Sequence, residues 1–257
     1  MSGRYVNRFS GRGEVYAKYR PGYPQEITAI LRSEIGFDQS KLVADIGSGT
    51  GLLSKLFLQN GNKVFAIEPN SEMRSFAEKD LAIYGEKFVS IGSQAENTSL
   101  ENHSVDLVTA GQALHWFDPR AARVEFARIL NEESGFLLIV YNERKKGEEA
   151  EQGFMADYEN LTNKYRTKAE SPDVDDASLA KFFGHSSYKI FAVPNTQDLD
   201  LDGLVGRAAS SSYLPYEGQE GFENMKEDLI SFFNANQKDG KITLFYTTTM
   251  CLGKIIL

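Results

Sequence analysis

The stretch Val43-Ala44-Asp45-Ile46-Gly47-Ser48-Gly49-Thr50-Gly51 decides how the rest of the chain is read. Residues 41–46 (KLVADI) are apolar and β-branched, the pattern of a strand buried on both faces. Three glycines at alternate positions follow. Residues 52–60 then place Leu52, Leu53, Leu56 and Phe57 on one helical face, and Gly61 sits where a helix is capped. Glycines at 47, 49 and 51 permit a tight turn off the strand and a close approach of ligand to backbone. They also put N–H groups at a helix N-terminus, where partial positive charge collects. Strand, glycine turn and helix together read as the floor of a ligand site.

The same alternation continues outward. Residues 63–68 (KVFAIE) form a second strand stopped by Pro69, and a helix begins near Ser71 with Met73, Phe76, Ala77 and Leu81 as its apolar stripe. Residues 88–91 and 105–110 read as the third and fourth strands, and residues 136–141 (FLLIVY) as the fifth. Between the last two, Asp118-Pro119 is an N-cap followed by an N1 proline, opening a helix through Leu130. Strands alternating with helices fold as a doubly wound, mostly parallel α/β sheet. Residues 143–187 are charged and helical in pattern. Residues 188–199 and 241–254 are two further strands, the last Thr-rich and alternating, as an antiparallel closing strand would be.

Composition sets the outer bounds. At 257 residues and 41% hydrophobic, the chain fills one large domain. Its net charge of −8 argues against a nonspecific nucleic-acid binder, which needs a basic face. Cys251 is the single cysteine, so neither an internal disulfide nor a cysteine-built zinc site is expected. His103, His115 and His185 lie too far apart in sequence to suggest a metal site. The N-terminal residues lack the apolar core of a signal peptide, and no apolar run approaches a membrane span. The expectation is a soluble, cytoplasmic protein.

Two cofactor classes compete for the glycine loop. A dinucleotide site uses G-x-G-x-x-G; here the third glycine comes one position early and Leu52 occupies its slot. Asp45, two residues before the first glycine, also departs from that fingerprint. The pattern D-x-G-x-G-x-G resembles motif I of the class I S-adenosylmethionine-dependent methyltransferases, whose cofactor carries no pyrophosphate. Glu68 matches the acidic residue that closes the family's second strand and holds the ribose hydroxyls. Ser93-Gln94-Ala95-Glu96 looks like the adenine-contacting segment, with Gln94 where many relatives have Asp. The segment Ala110-Gly111-Gln112-Ala113-Leu114-His115-Trp116-Phe117-Asp118 resembles a signature of a small-molecule subgroup that includes trans-aconitate methyltransferase-like proteins. So does Tyr16-Ala17-Lys18-Tyr19-Arg20-Pro21-Gly22-Tyr23-Pro24.

The resemblance implies a seven-stranded sheet binding S-adenosylmethionine and releasing S-adenosylhomocysteine. It implies N-terminal helices over the cofactor (residues 1–40), a binding core (41–141), a helical lid (142–187), and C-terminal strands with a helix (188–257). The implied cofactor contacts are Tyr19, Arg20, Asp45, Gly47, Ser48, Gly49, Gly51, Glu68, Pro69, Gln94, Ala95, Glu96, Ala110 and Gln112. No metal is implied, and the partner is a small-molecule acceptor rather than nucleic acid or membrane.

Methyl transfer from a sulfonium is an in-line displacement, so holding acceptor and methyl close and collinear in a dry pocket matters most. The candidates for chemistry follow the carboxyl ends of the strands. His115 either acts as a general base or orders its loop, and the balance falls on the loop. Trp116 walls the acceptor, covers the adenine, or simply packs. Tyr141 points into the pocket or finishes the core face. Arg20 pairs with the methionine carboxylate or lies in water. Phe154 and Tyr158, four apart on one helical face, belong to the lid or to a core. Arg207 and Ser210-Ser211-Ser212-Tyr213 are further candidates to reach the pocket, whereas Arg144-Lys145-Lys146 reads as a solvated loop. The rival functions are a cofactor-binding module without activity and a protein or nucleic-acid methyltransferase on the same fold.

Overall fold

A computed structural model of the chain describes residues 13–144, 153–167, 175–184 and 188–256. Two helices come first, α1 (Gly13–Tyr19) and α2 (Glu26–Ile35). Five strands follow with their crossover helices: β1 (Leu42–Ile46), α3 (Leu52–Asn60), β2 (Lys63–Ile67), α4 (Ser71–Leu81), β3 (Phe88–Ile91), β4 (Leu107–Gly111), α5 (Pro119–Ile129) and β5 (Phe136–Arg144). Then come α6 (Phe154–Lys164), α7 (Asp176–Phe183), β6 (Tyr188–Leu199), α8 (Leu201–Ala209), α9 (Phe222–Asn236) and β7 (Ile242–Gly253). The strands form one sheet in the order β3-β2-β1-β4-β5-β7-β6. β1 to β5 pair in parallel, and β7 runs antiparallel to both β5 and β6.

Both faces of the sheet are covered, which is why its central strands carry almost no polar side chains. On one face Val43, Val64, Leu107, Leu138 and Val140 pack against Ile27 and Leu31 of α2, Leu53, Leu56 and Phe57 of α3, and Leu81 of α4. On the other, Ala44, Ile46, Val108, Ala110 and Ile139 meet Phe126 and Ile129 of α5 and Leu179, Phe182 and Phe183 of α7. The sequence-derived helix starts hold: Asn70 caps α4 by accepting from the Met73 N–H, and Asp118 caps α5 through the N–H groups of Arg120 and Ala121.

The antiparallel pair β6–β7 outruns the rest of the sheet. Each strand is 12 residues long against five for β1, and their pairing extends to Leu199↔Ile242, past the last β5 partner at Arg144↔Tyr246. The overhang lies at the carboxyl end of the parallel strands, where open α/β sheets bind ligands. A third apolar cluster forms on it, from Met155 and Tyr158 of α6, Leu204 and Ala208 of α8, Met225, Leu229 and Phe232 of α9, and Leu244 and Tyr246 of β7.

Three expectations are corrected here. The fifth strand continues three residues past Tyr141, because Asn142, Glu143 and Arg144 find partners in Thr248, Thr247 and Tyr246. The stretch read as one helical lid divides: α6 stands on the overhang, whereas α7 buries Leu179, Phe182 and Phe183 beneath the sheet beside α5. The C-terminal part holds two helices, α8 and α9, rather than one. His185, Lys145 and Lys146 lie outside the described residues. Among the described residues no helix is long and apolar enough to cross a membrane.

Candidate active site

The glycine loop leaves β1 at Ile46 and is closed by its own hydrogen bonds. The Gly47 and Ser48 N–H groups both donate to the Ile67 carbonyl (2.8 and 3.1 Å), and the Gly51 N–H donates to the Ser48 carbonyl (2.9 Å). The Gly49 N–H donates to Glu68 Oε2 at 3.0 Å. These four loop donors are satisfied within the protein. A pyrophosphate would find none of the four available, in keeping with the early third glycine. Gly49 adopts φ +56°, and a Cβ built there would meet nothing nearer than Met73 Cε at 3.5 Å. Gly51, at φ +82°, would drive a Cβ to 2.6 Å from Leu81 Cδ1. Gly51 is thus required by helix packing, while Gly49 borders open space.

Two carboxylates stand at this loop. Asp45 is 1% exposed, and its Oδ2 accepts from Ser54 Oγ at 2.6 Å while Oδ1 has no partner. Burial pushes its carboxyl up to about 7, against the pull of Ser54 and with help from the nearby Glu68 charge. An orphaned, buried acceptor at the foot of a ligand floor calls for a donor from a ligand. Glu68 follows β2 directly; its Oε1 accepts from the Asn70 N–H at 2.8 Å. Burial raises its carboxyl as well, opposed by the Asn70 and Gly49 hydrogen bonds. Arg74 ties down the turn by donating to the carbonyls of Glu68 and Pro69 (2.8 and 3.1 Å).

The loops after β3 and β4 are joined. Glu96 Oε1 accepts from the Asp118 N–H at 2.8 Å, Gln94 is exposed and Ala95 buried. Ala110 is inside the core. Gln112 takes φ +56°, uncommon for a residue with a side chain, and donates from Nε2 to the Asn142 carbonyl at 2.8 Å. His115 and Trp116 lie in a single 3-10 turn, Leu114–Trp116, with His115 exposed and the two rings 4.3 Å apart. Tyr141 is buried on the α5–α7 face near Cys251, and its hydroxyl has no partner. Burial raises its ionisation well above the usual phenol range.

The N-terminal segment is tied down from α4 across to β6 and α8. At one end the Gly13 N–H donates to Glu72 Oε1 of α4 (3.3 Å). At the other the Tyr19 ring fills the space above Gly206 of α8, and the Tyr19 carbonyl accepts from Gln197 Nε2 of β6 (2.9 Å). Asn142 and Asn195 both donate to the Gly22 carbonyl at 3.0 Å. Tyr23 follows, its hydroxyl against Gly111; burial above all raises its ionisation, with Tyr16, Asp45 and Tyr141 adding to it and Arg20 opposing. Arg20 donates from Nη2 to the Ser210 carbonyl at 2.9 Å and lies 4.7 Å over the Tyr16 ring, not in bulk water.

Sequence reasoning missed Arg144. Read as part of a solvated run, it ends β5 with its side chain 7% exposed, paired to Glu159 at 2.9 Å and donating to the Tyr213 hydroxyl at 3.2 Å. The signal was the Thr-rich β7, whose wetter face pairs with residues 142–144. Arg207 is 5% exposed and donates to the Tyr246 hydroxyl and Ser211 Oγ, both at 3.1 Å.

Comparison with known proteins agrees with this geometry. Residues 44–139 match the family model described as a methyltransferase domain. A Dictyostelium discoideum protein described as a methyltransferase is 23% identical over 261 residues, covering 98% of this chain and 96% of its own. A Schizosaccharomyces pombe protein, described as an uncharacterized methyltransferase, is 25% identical over 245 residues, covering 91% and 93%. A structure from Anaeromyxobacter dehalogenans described as a type II methyltransferase superposes with a TM-score of 0.68 at 17% identity, covering 93% and 99%. Sheet order, glycine loop, Asp45 and Glu68 agree with these matches: residues 44–139 are similar to a methyltransferase domain, and the chain has the fold of the solved methyltransferase.

Proposed function

We propose that the enzyme methylates a small-molecule acceptor and releases S-adenosylhomocysteine. The observation that carries the reading is the orphaned Oδ1 of buried Asp45 beside the open space at Gly49, with the Glu68 carboxylate alongside. In this reading Asp45 accepts from the cofactor's ammonium and Glu68 from its ribose hydroxyls, exchanging its present N–H partners. Gln94, Ala95 and Glu96 line the adenine side, with Ser48, Pro69, Ala110 and Gln112 completing the contacts. Tyr19 and Arg20 close the N-terminal segment over the methionine end. S-adenosylmethionine supplies an electrophilic methyl on a sulfonium. The protein's part is to hold the acceptor in line and keep water out, which the N-terminal segment and the α6–α8–α9 cap on the β6–β7 overhang support. Closure from both sides favours a small acceptor over a macromolecule, and the net charge of −8 disfavours nucleic acid. His115 and Trp116 border the acceptor, with His115 ordering the loop, and Tyr141 serves as a neutral hydrogen-bond donor.

The test is incubation of the enzyme with methyl-labelled S-adenosylmethionine and a fractionated metabolite extract. Label transferred into low-mass material supports the reading. Label confined to protein or nucleic acid overturns the small-molecule assignment. Tight S-adenosylmethionine binding with no label transferred to any fraction means a binding module.

A further inference from the structure

We infer that Arg144 and Arg207, with Arg20 on the cofactor side, seat an oxyanion carried by the methyl acceptor. The inference rests on the small-molecule reading above and names the chemistry of its substrate. Three guanidinium groups come together beneath the cap. Arg20 and Arg207 bond to the adjacent Ser210 carbonyl and Ser211 hydroxyl, and Arg207 and Arg144 bond to the Tyr246 and Tyr213 hydroxyls. Aromatic faces line the group: Tyr16 under Arg20, Tyr158 under Arg144 at 5.4 Å, and Tyr246 under Arg207 at 5.9 Å.

The charges do not balance. Among the described residues neither Arg20 nor Arg207 has a carboxylate partner. Arg144 has one, Glu159, but Glu159 also pairs with Arg166 at 2.9 Å. Arginine is seldom fully buried unless paired, because removing its charge from water is costly. Arg20 and Arg207 also oppose one another's charge.

The hydrogen-bond inventory points the same way. Arg20 Nε, Arg144 Nη1 and the Tyr158 hydroxyl are buried and have no partner, and the Tyr158 side chain is 0% exposed. Two of these orphans are cationic N–H donors and the third is a phenol that can donate. Donors of this kind call for acceptors with negative charge, and the guanidinium fork matches a planar carboxylate or a phosphate oxygen pair. The cluster adjoins the cofactor floor through Tyr23, which lies in electrostatic range of both Arg20 and Asp45. A carboxylate and a phosphate ester share this chemistry.

The experiment uses the full chain saturated with S-adenosylhomocysteine, at constant ionic strength set with sodium chloride. Calorimetry and thermal shift compare succinate, citrate, glycerol phosphate and inorganic phosphate with dimethyl succinate. An acid probe is expected to bind and raise the melting temperature, while the uncharged diester does neither. Carboxylates binding alone, or phosphates alone, tells the two sources apart. In Arg144→Gln and Arg207→Lys the acid affinity is expected to fall roughly tenfold or more, with S-adenosylhomocysteine affinity within about twofold of wild type. The inference is overturned if wild type binds S-adenosylhomocysteine but no acid probe, or binds the diester equally well. It is also overturned if folded variants keep full acid affinity. The comparison of acid with diester needs no variant, so it decides even where a variant misfolds. Failure of wild type to bind S-adenosylhomocysteine sinks the earlier reading instead.

Discussion

Replacing Asp45 by Asn should make the cofactor-free protein more stable at alkaline pH while weakening the cofactor. Asp45 is fully buried, one oxygen is held by Ser54, the other is orphaned, and the carboxyl rises from 3.8 to about 7. A raised carboxyl contributes stability that is fully present below about pH 4, is lost as pH climbs toward 7, and stays lost above it. The shift is about 3 units at 1.36 kcal/mol each, a ceiling of about 4 kcal/mol. Relaxation and water penetration bring the expected value to about 2 kcal/mol. Asparagine keeps an acceptor for Ser54 and leaves one neutral orphan where wild type leaves a charged one. Urea unfolding of both proteins at pH 5 and pH 8 reads the effect. The variant should be more stable by about 2 kcal/mol at pH 8, and the gap should shrink at pH 5. S-adenosylmethionine affinity should fall by roughly tenfold or more, since a charge-assisted contact is lost. A variant less stable than wild type at pH 8, or a gap independent of pH, would refute the reasoning.

Other consequences follow from the same geometry. Glu68→Ala should weaken S-adenosylmethionine roughly ten- to hundredfold by calorimetry, because on the proposed reading its carboxylate gives up the Gly49 N–H to take the ribose hydroxyls. Unchanged affinity in a folded variant removes Glu68 from the site. Gly49→Val puts a side chain at φ +56° into the open space, so cofactor binding should be lost while circular dichroism reports a folded core. Normal binding would show that the loop is not the floor. His115→Asn should keep most of the turnover and leave its pH profile unaltered. A loss of roughly 10²–10⁴-fold in His115→Ala and His115→Asn alike, with the acidic limb abolished, would make His115 the base instead.

Much of this was written in the order of the residues. Buried parallel strands announce themselves as β-branched runs, and the spacing of Gly47, Gly49 and Gly51 separates this loop from a dinucleotide turn by residue order alone. Asn70 and Asp118 mark their helix starts because a capping side chain acts on its own neighbours. What escaped was set by distant partners. Arg144 reads as solvated beside two lysines, yet β7 draws it into the ladder opposite Tyr246, and Glu159 meets it there from α6. α7 has the same charged surroundings as α6, and only the tertiary destination of Phe182 and Phe183 distinguishes the two. The glycine spacing marks the loop but not the partners of its N–H groups. That Ile67 and Glu68 take them depends on a strand 20 residues away. Local pattern reveals elements, whereas pairing across the sheet decides which charged groups are buried.

The most direct test of the account is label transfer measured in parallel for wild type and Glu68→Ala. Methyl-labelled S-adenosylmethionine and a low-mass metabolite fraction are supplied to each at a cofactor concentration near the wild-type Kd. The account requires label in a low-mass product with wild type, and a rate roughly five- to fiftyfold lower with Glu68→Ala that recovers as cofactor is raised. Equal rates in both proteins, or no low-mass product from a wild type that binds the cofactor, would contradict it.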